Sequence, residues 1–423
     1  MQPIYEDLIK MWKENGFDYE IYPGTFWLDN SIVKAYDKKG NLKYLYKVMI
    51  ADDLSVTFKK HSNCPDYTDF NFETWEETAK RIKPVFQKKE QESIKLINET
   101  IKKYNGYIPY VLQSTGKDSI VTEHLCRLSN HTVKTVFNNT TLDCADTYKI
   151  VNKHKNDWII TTPPEGFYQY VERENFIPTR FSRACCSLFK EGNHINHFDD
   201  VEKAIWIMGV RNDESNARSS RQDIEHNPKW GDRKWIGLLP IRKWTELEIW
   251  CYIILNNLEV NPKYKKGYKR VGCAIACPYS GKSTWYLDKY FYPKMYDRWH
   301  RILTKDFIEH GKWCTMNCTL KEYQYCWNGG VVREQPTKEV IEEFMQYKGI
   351  DSYEIAEKYF NKKCTCCGKN IRNKDTIAMN LKMHGRNITR FMCKKCLIKE
   401  LHIDAKKWNE YIRQFKSQGC SLF

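Results

Sequence analysis

"YVLQSTGKDSIV", residues 110–121, decides how the chain is read. An apolar run enters it, the turn Ser114-Thr115-Gly116-Lys117-Asp118-Ser119 interrupts it, and an apolar helical pattern leaves it. A strand that breaks at such a turn and restarts as a helix presents free backbone N–H groups to an anion. In this reading Gly116 lets the backbone turn tightly and approach a phosphate, Lys117 adds a point charge, and Ser114 and Ser119 offer hydroxyls. The spacing is not Walker A, which needs a Gly five residues before Gly116, where this chain has Val111. The alternative is an ordinary turn with a solvated lysine. The strand-turn-helix setting favours the phosphate.

That setting extends in both directions. The strand patterns "YIPYVLQS", "HTVKTVFNNT", "DWIITTPP", "KAIWIMGVR" and "KWIGLLPIRKW" are interleaved with helical patterns from Ser119, from Cys144 to His154, around "FYQYVERE" and over "TELEIWCYIILNNL". Strands alternating with helices predict a doubly wound parallel α/β sheet over residues 107–330, with ligands at the carboxyl ends of its strands near the topological switch point. Residues 1–72 predict a small accessory domain: a short helix, then a β-meander with Asp37 to Asn41 as a hairpin turn. Residues 73–106 read as a linking helix with Pro84 as a candidate kink. Residues 331–423 read as helical patterns around a cysteine-rich segment.

Composition bounds the function. No run of about 18 apolar residues is present, so no membrane span is expected. The start, "MQPIYEDLIKMWKENG", is amphipathic and unlike a signal peptide. Seventeen cysteines without a secretory signal predict a reducing, cytoplasmic setting, where cysteine clusters serve metal or redox chemistry. The 68 Lys and Arg outnumber the 53 Asp and Glu, which favours an anionic partner: a nucleotide, a nucleic acid or both. A second Walker-like stretch, "ACPYSGKS" at 276–283, has a basic, Gly-rich approach instead of a strand and is read as coincidence.

The cleanest metal signal lies near the end of the chain. Cys364 and Cys367 form one Cys-x2-Cys knuckle followed by Gly368, and Cys393 and Cys396 form a second. Four thiolates at that spacing predict a structural zinc ribbon with a closed coordination shell, with Cys366 as a spare that competes with Cys367.

Four further stretches carry a family likeness: the loop at 114–119, "RACCSLFK" at 183–190, "GVRNDESNAR" at 209–218, and "LLPIRKWTELEIWCYI" leading to "NPKYKKGYKRVGCAIACP". Together they resemble the phosphoadenosine phosphosulfate (PAPS) reductase family, a branch of the adenine nucleotide α-hydrolase-like (PP-loop) fold, over about residues 107–285. The loop itself resembles the pyrophosphate loop of ATP pyrophosphatases. The resemblance implies that Ser114, Thr115, Gly116, Lys117, Asp118 and Ser119 face the phosphate or sulfate end of an adenine nucleotide. It also implies that Arg211, Arg218 and Lys190 contact anionic groups. Cys185, Cys186, Cys273 and Cys277 match the family's four iron–sulfur cysteines, which implies a 4Fe-4S cluster. The second pair is Cys-x3-Cys here, where the family has Cys-x2-Cys, so a set of four buried thiols stays open, with Cys314, Cys318 and Cys326 as replacement ligands or core residues. Cys420, in "FKSQGCSLF", stands where PAPS reductases carry a tail nucleophile, though the flanking residues differ.

Two enzyme readings follow, with Lys117, Asp118 and Cys420 as the residues expected to carry the chemistry. In the first, the intact ATP-type loop binds ATP and the enzyme adenylates a nucleic-acid acceptor for sulfur insertion, with a thiol or sulfur donor protein as partner. In the second, a sulfonucleotide reductase releases sulfite from PAPS or its 3′-dephospho form (APS) through Cys420. A non-catalytic nucleic-acid-binding module is the third, and it requires neither the loop nor the cysteines.

Overall fold

The computed structural model describes the chain except residues 18–19, 63, 65–70, 181, 276, 329–332, 334, 361–362, 372, 386–389 and 421. The fold divides into two compact units: residues 1–169, 185–275 and 283–293, and residues 170–184, 276–282 and 294–423.

The first unit opens with an antiparallel five-stranded sheet in sequential order: β1 (Gln2–Pro3), β2 (Trp27–Asp29), β3 (Ile32–Tyr36), β4 (Leu42–Ile50) and β5 (Val56–Lys60), with α1 (Glu6–Glu14) between the first two. The expected meander is there. Its β3–β4 turn is tied by Asp37, whose Oδ1 accepts from the N–H groups of Lys39 and Asn41, while Gly40 takes φ +80°. Helix α2 (Trp75–Lys103) begins with a capping box in which Thr74 and Glu77 serve each other's backbone N–H. It continues through Pro84 to Lys103 as one helix.

The second sheet has six strands in the order β10-β11-β9-β6-β7-β8. These are β6 (Ile108–Gln113), β7 (Lys134–Asn138), β8 (Ile159–Thr161), β9 (Lys203–Met208), β10 (Ile224–Glu225) and β11 (Lys234–Leu238). All neighbours are parallel except β10, a two-residue antiparallel edge. Its helices are α3 (Lys117–Arg127), α4 (Ala145–Lys153), α5 (Phe167–Glu174), α6 (Asn193–His197), α7 (Asn216–Ser219), α8 (Glu246–Leu255), α9 (Pro262–Lys265) and α10 (Lys282–Phe291). The chain leaves β6 toward β7 and β8 on one side, then crosses back to place β9 against the other side of β6. The reversal of strand order therefore falls between β6 and β9, the switch point the loop was expected to occupy.

Side-chain alternation explains why the central strands hold. Val111 of β6 and Ile205 and Ile207 of β9 join one buried cluster with Phe86 and Ile97 of α2 and Trp250 of α8. Tyr110, Ala204 and Trp206 face the opposite cluster with Trp235, and Tyr110 stacks on Trp206 at 4.7 Å. Both faces are covered, which is why these strands read as nearly continuous apolar runs.

In the second unit, α11 (Pro293–Glu309), α12 (Lys312–Met316), α13 (Leu320–Cys326), α14 (Lys338–Lys348) and α15 (Tyr353–Phe360) precede the cysteine-rich segment. The helices α16 (Lys374–His384), α17 (Lys394–Glu400) and α18 (Ala405–Ser417) flank and follow it. Helices α11 to α13 gave no clear sequence signal. Asp306 is their buried hub: it accepts from Tyr323, and it pairs with His310 at 2.9 Å and Lys312 at 3.5 Å.

Candidate functional site

The loop after β6 is built by its own strand. The buried Gln113 Oε1 accepts from the Thr115 N–H at 2.8 Å and from the Ser119 hydroxyl at 2.5 Å. Its amide nitrogen donates to Glu123 on the next helix at 2.5 Å. Ser119 also lies 2.9 Å from the Gly116 carbonyl and accepts from the Ser114 N–H at 3.2 Å, so this hydroxyl holds the loop together. Ser114 is the exposed hydroxyl of the pair.

Two expectations about the turn change. The left-handed residue is Thr115, at φ +57°, and Gly116 sits at φ −81°, which any residue adopts. A β-branched residue at positive φ is strained and must be held by its surroundings. Asn261 does this: its amide donates to the Thr115 hydroxyl at 2.7 Å and to Thr147 on α4 at 3.0 Å. Gly116 is closely packed instead: a Cβ there would stand 3.1 Å from Ser114 Oγ, which would have to give way, and 3.5 Å from the Tyr264 hydroxyl. Gly209, just past β9, is tighter still. A Cβ there would meet the Asp118 carbonyl carbon at 2.7 Å and the Ser119 nitrogen at 2.9 Å. The first turn of α3 reaches the end of β9 only because Gly209 has no side chain.

The charges of the site are buried and paired. Lys117 is 4% exposed, and its Nζ lies 3.1 Å from Asp118 and 3.5 Å from Glu246. Its backbone N–H donates to the Tyr264 hydroxyl at 2.8 Å. Burial works against the ammonium, but the Tyr264 oxygen and the Asp118 and Glu246 carboxylates outweigh it and hold the Lys117 pKa above its usual value. Asp118 faces burial too, and Lys117 and Arg211 overcome it and keep the carboxyl below its ordinary range. Arg211, 2% exposed, donates from Nε to Asp118 at 2.5 Å and from Nη1 to Asp213. Arg218 pairs with Glu214, whose carboxylate also accepts from the Arg211 N–H at 3.0 Å. Three side-chain cations, with the Met1 ammonium on Glu246, thus meet four carboxylates: Asp118, Asp213, Glu214 and Glu246.

Lys117, Asp118, Arg211 and, through Glu214, Arg218 are therefore brought into one network. Lys190 stands apart on an exposed position, its carbonyl accepting from Asn138 at the end of β7 at 2.5 Å. Sequence reading assigned no role to Gln113, Gly209, Glu246, Asn261 or Tyr264. The last two lie inside "NPKYKKGYK", where the family likeness marked the stretch without marking them.

Of the cysteines, Cys185 is buried and Cys186 half-buried at the start of a π-helical stretch, Cys186–Gly192. Such wide turns cluster at functional sites. Cys273, in the first unit, and Cys277, in the second, are half-buried. Among the described residues, one set of metal-ligating side chains draws its ligand atoms within 4.8 Å of one another, and it is Cys364, Cys367, Cys393 and Cys396. The Cys367 and Cys393 sulfurs are 3.6 Å apart. Gly368 takes φ +69° and donates its N–H to the Cys364 carbonyl at 2.8 Å, which closes the first knuckle. Against the effect of burial, backbone N–H groups of Cys393, Cys366 and Cys367 lower the Cys364 thiol to about 6. Such N–H donors favour thiolate, the form that binds metal. The four cysteines fit a tetrahedral metal, and the exposed Cys366 stands outside the set. Cys314 is half-buried and Cys318 buried, both outside that set, and the side chain of Cys326 lies outside the described residues.

Cys420 belongs to the same region. Its N–H donates to the Phe415 carbonyl at 3.0 Å. Leu422 packs on the cluster of Cys364, Ile371, Leu381 and Phe391, and Phe423 packs on that of Met379, Leu397, Trp408 and Ile412. Among the described residues no helix is long and apolar enough to cross a membrane.

The model of the phosphoadenosine phosphosulfate reductase domain matches residues 108–278, from the start of β6 to just beyond Cys277. An uncharacterized protein of Methanocaldococcus jannaschii is 27% identical over 256 residues, 58% of this chain and 61% of that one, so the chain spans about three fifths of that relative's length. The adenosine 5′-phosphosulfate reductase of Bacillus cereus is 26% identical over 213 residues, 48% of this chain and 86% of that one. Among solved structures, the phosphate complex of the PAPS reductase of Candida auris covers 47% of this chain and 94% of its own, with 16% identity and a TM-score of 0.36.

Proposed function

We propose, since residues 108–278 are a domain of the phosphoadenosine phosphosulfate reductase family, that this protein binds an adenine nucleotide at the loop Ser114 to Ser119 and uses it in sulfur chemistry. The preferred reading is ATP-dependent. An acceptor oxygen attacks the α-phosphorus, the α–β phosphoanhydride bond breaks, and pyrophosphate leaves. The adenylated oxygen then departs as AMP when the terminal sulfur of a sulfur-carrying protein's persulfide attacks the acceptor, and a thiol cleaves the resulting S–S bond, leaving a disulfide and the thiolated acceptor. A nucleic acid is the acceptor in this reading.

The observation that carries it is Lys117, buried at the first turn of α3 at the switch point of the sheet and kept cationic by its neighbours. A sulfate-bearing nucleotide without β- and γ-phosphates gives such a lysine less to do. Lys117 and Arg211 would exchange carboxylate partners for phosphate oxygens, and Arg218 and Lys190 would meet the remaining anionic groups. Asp118 would keep the two cations aligned.

A second reading has the family match and the Bacillus cereus relative in its favour. Here the Cys420 thiolate attacks the sulfur of APS or PAPS and expels the nucleotide, and a thiol then releases sulfite, leaving a disulfide. The packing of Leu422 and Phe423 on the cysteine-rich region weighs against a freely reaching tail. We assign zinc to Cys364, Cys367, Cys393 and Cys396, and a 4Fe-4S cluster to Cys185, Cys186, Cys273 and Cys277. We place the protein in the cytoplasm.

Parallel turnover assays decide between the readings. Pyrophosphate formed from ATP only when nucleic acid is present, and lost in Lys117→Ala, supports the first. Sulfite formed from APS or PAPS with a thiol and no ATP, and abolished by Cys420→Ser, replaces it with the second. Binding of nucleic acid with neither product leaves a binding module.

A further inference from the structure

Positive charge is unevenly distributed along the chain. Residues 361–423 hold 15 Lys and Arg against 4 Asp and Glu, most of the chain's net charge of +15 in about a seventh of its length. The preceding helices α14 and α15, residues 338–360, are acidic, with 3 lysines against 6 Asp and Glu. Four thiolates and one zinc dication would contribute a net −2, so neutralising the metal centre still leaves residues 361–423 with nine excess positive charges.

The eleven lysines and arginines of this segment whose side chains are described are all exposed: Lys363, Lys369, Lys382, Arg390, Lys394, Lys395, Lys399, Lys406, Lys407, Arg413 and Lys416. Two of them enter ion pairs, Lys407 with Glu410 and Lys416 with Asp375. Local contacts account for three of them: Lys382 lies over the Phe415 ring, Lys394 over Trp408 and Lys407 over Tyr411. Lys394 and Lys395 open α17, and Lys406 and Lys407 stand in the first turn of α18, the end at which peptide dipoles disfavour cations, and neither first turn holds an acidic residue. The apolar side of α18 is already used: Trp408 and Ile412 are buried with Met379 and Leu397. No large exposed hydrophobic residue is found among the described residues of the segment, so it offers a membrane nothing to insert.

We infer that residues 361–423 are a nucleic-acid docking module, held in shape by the four-cysteine centre and binding the phosphodiester backbone through lysines and arginines on α17, α18 and the knuckles. The inference rests on the nucleic-acid acceptor of the reading above and assigns that acceptor a surface. Many exposed cations on a rigid metal-stapled scaffold bind a polyphosphate chain by releasing its counterions, without sequence readout.

The test uses the full chain with zinc bound and a labelled 30-nucleotide probe as duplex DNA, duplex RNA or single strand. Anisotropy titrations over a salt series compare the wild type with a Lys399→Gln/Lys406→Gln/Arg413→Gln variant of unchanged zinc content. The inference expects at least about a tenfold loss of affinity in the variant and a shallower dependence of log affinity on log salt, by about 0.9 for each duplex phosphate that is no longer neutralised. Which probe binds best identifies the nucleic acid. Unchanged affinity and slope in the variant overturn the module. So does equal wild-type binding to polyglutamate or to phosphatidylserine vesicles, which would point to an acidic protein or a membrane surface. ATP binding without nucleic acid, measured by isothermal titration, reports on the loop alone: its absence with docking intact refutes the nucleotide reading, and its retention with docking absent refutes this one.

Discussion

Lys117 and Arg211 are almost wholly buried and each touches a carboxylate, whereas the cations described in residues 361–423 all stand in water, and two of the eleven are paired. Burying a charge in a medium of low polarizability is costly unless a counter-charge and hydrogen bonds compensate. Around the loop that compensation comes from residues spread over some 130 positions of sequence, from Lys117 to Glu246. In the knuckle region water supplies it. The loop's charges are thus placed to act at contact distance on one ligand in a fixed geometry. The knuckle's charges act through a field that salt weakens over about 8–10 Å. The two regions also differ in what holds them. The loop hangs on a parallel sheet buried on both faces, while the segment after residue 361 gathers two small apolar clusters around four thiols.

Metal removal should separate the regions most strongly. Structural zinc contributes on the order of 10 kcal/mol to small metal-nucleated folds. Chelation, or Cys364→Ser with Cys393→Ser, should therefore make residues 361–423 protease-sensitive and leave the sheet of the first unit resistant. Mass mapping of limited proteolysis reads this, and an undigested segment after full metal loss would break the contrast.

Next in size is Lys117→Ala. Nucleotide turnover should fall by about 10²-fold or more, the cost of removing one preorganised electrostatic group. The urea midpoint of the first unit should also drop, since Asp118 and Glu246 each lose one buried cation and keep only Arg211 and the Met1 ammonium. Lys399→Ala should change stability by no more than about 0.5 kcal/mol. Similar stability losses in the two variants would erase the distinction.

A pH effect sharpens it further. Asp288 is fully buried, accepts from the Tyr268 hydroxyl at 2.7 Å, and is pushed up to about 6 by burial, partly countered by Lys263. The folded pKa exceeds the unfolded one. The folded state therefore holds more protons between about pH 4 and 6, and stability falls as pH rises through that window. The loss amounts to up to about 3 kcal/mol. Asp288→Asn should flatten it, as measured by urea unfolding of the first unit at pH 4.5 and 7. A slope identical to wild type would show that Asp288 does not titrate there. Gly209→Ala should cost about 1–3 kcal/mol of stability from overpacking on Asp118, with weaker nucleotide binding. An unaltered melting temperature and affinity would mean that α3 moves aside.

The parallel sheet was legible because its strands are buried on both faces and announce themselves as apolar runs, and the knuckles because ligand spacing is local. The two-residue β10 is too short to leave a periodic signal. Helices α11 to α13 turn on Asp306 contacts between residues 4 to 17 apart, which no period reports. The loop's residues were legible as a motif, yet the reason for each was not. Thr115 at positive φ is held by Asn261, and Gly116 packs closely on Ser114 and Tyr264, relations between distant positions that a single stretch does not carry. Nor could sequence show that Leu422 and Phe423 pack down beside Cys420.

Those distant supports set an order of events during synthesis. The loop is complete as a string of residues at Ser119, but Arg211, Glu246, Asn261 and Tyr264, which hold its charges and its strained threonine, are translated later, Tyr264 147 residues beyond Lys117. A nascent chain that has displayed the whole motif to solvent still lacks the groups that shape it, and bringing together residues of such long sequence separation is slow. On the proposed function, nucleotide capture is therefore a late event in the life of the polypeptide, one that a ribosome paused before residue 261 would not allow.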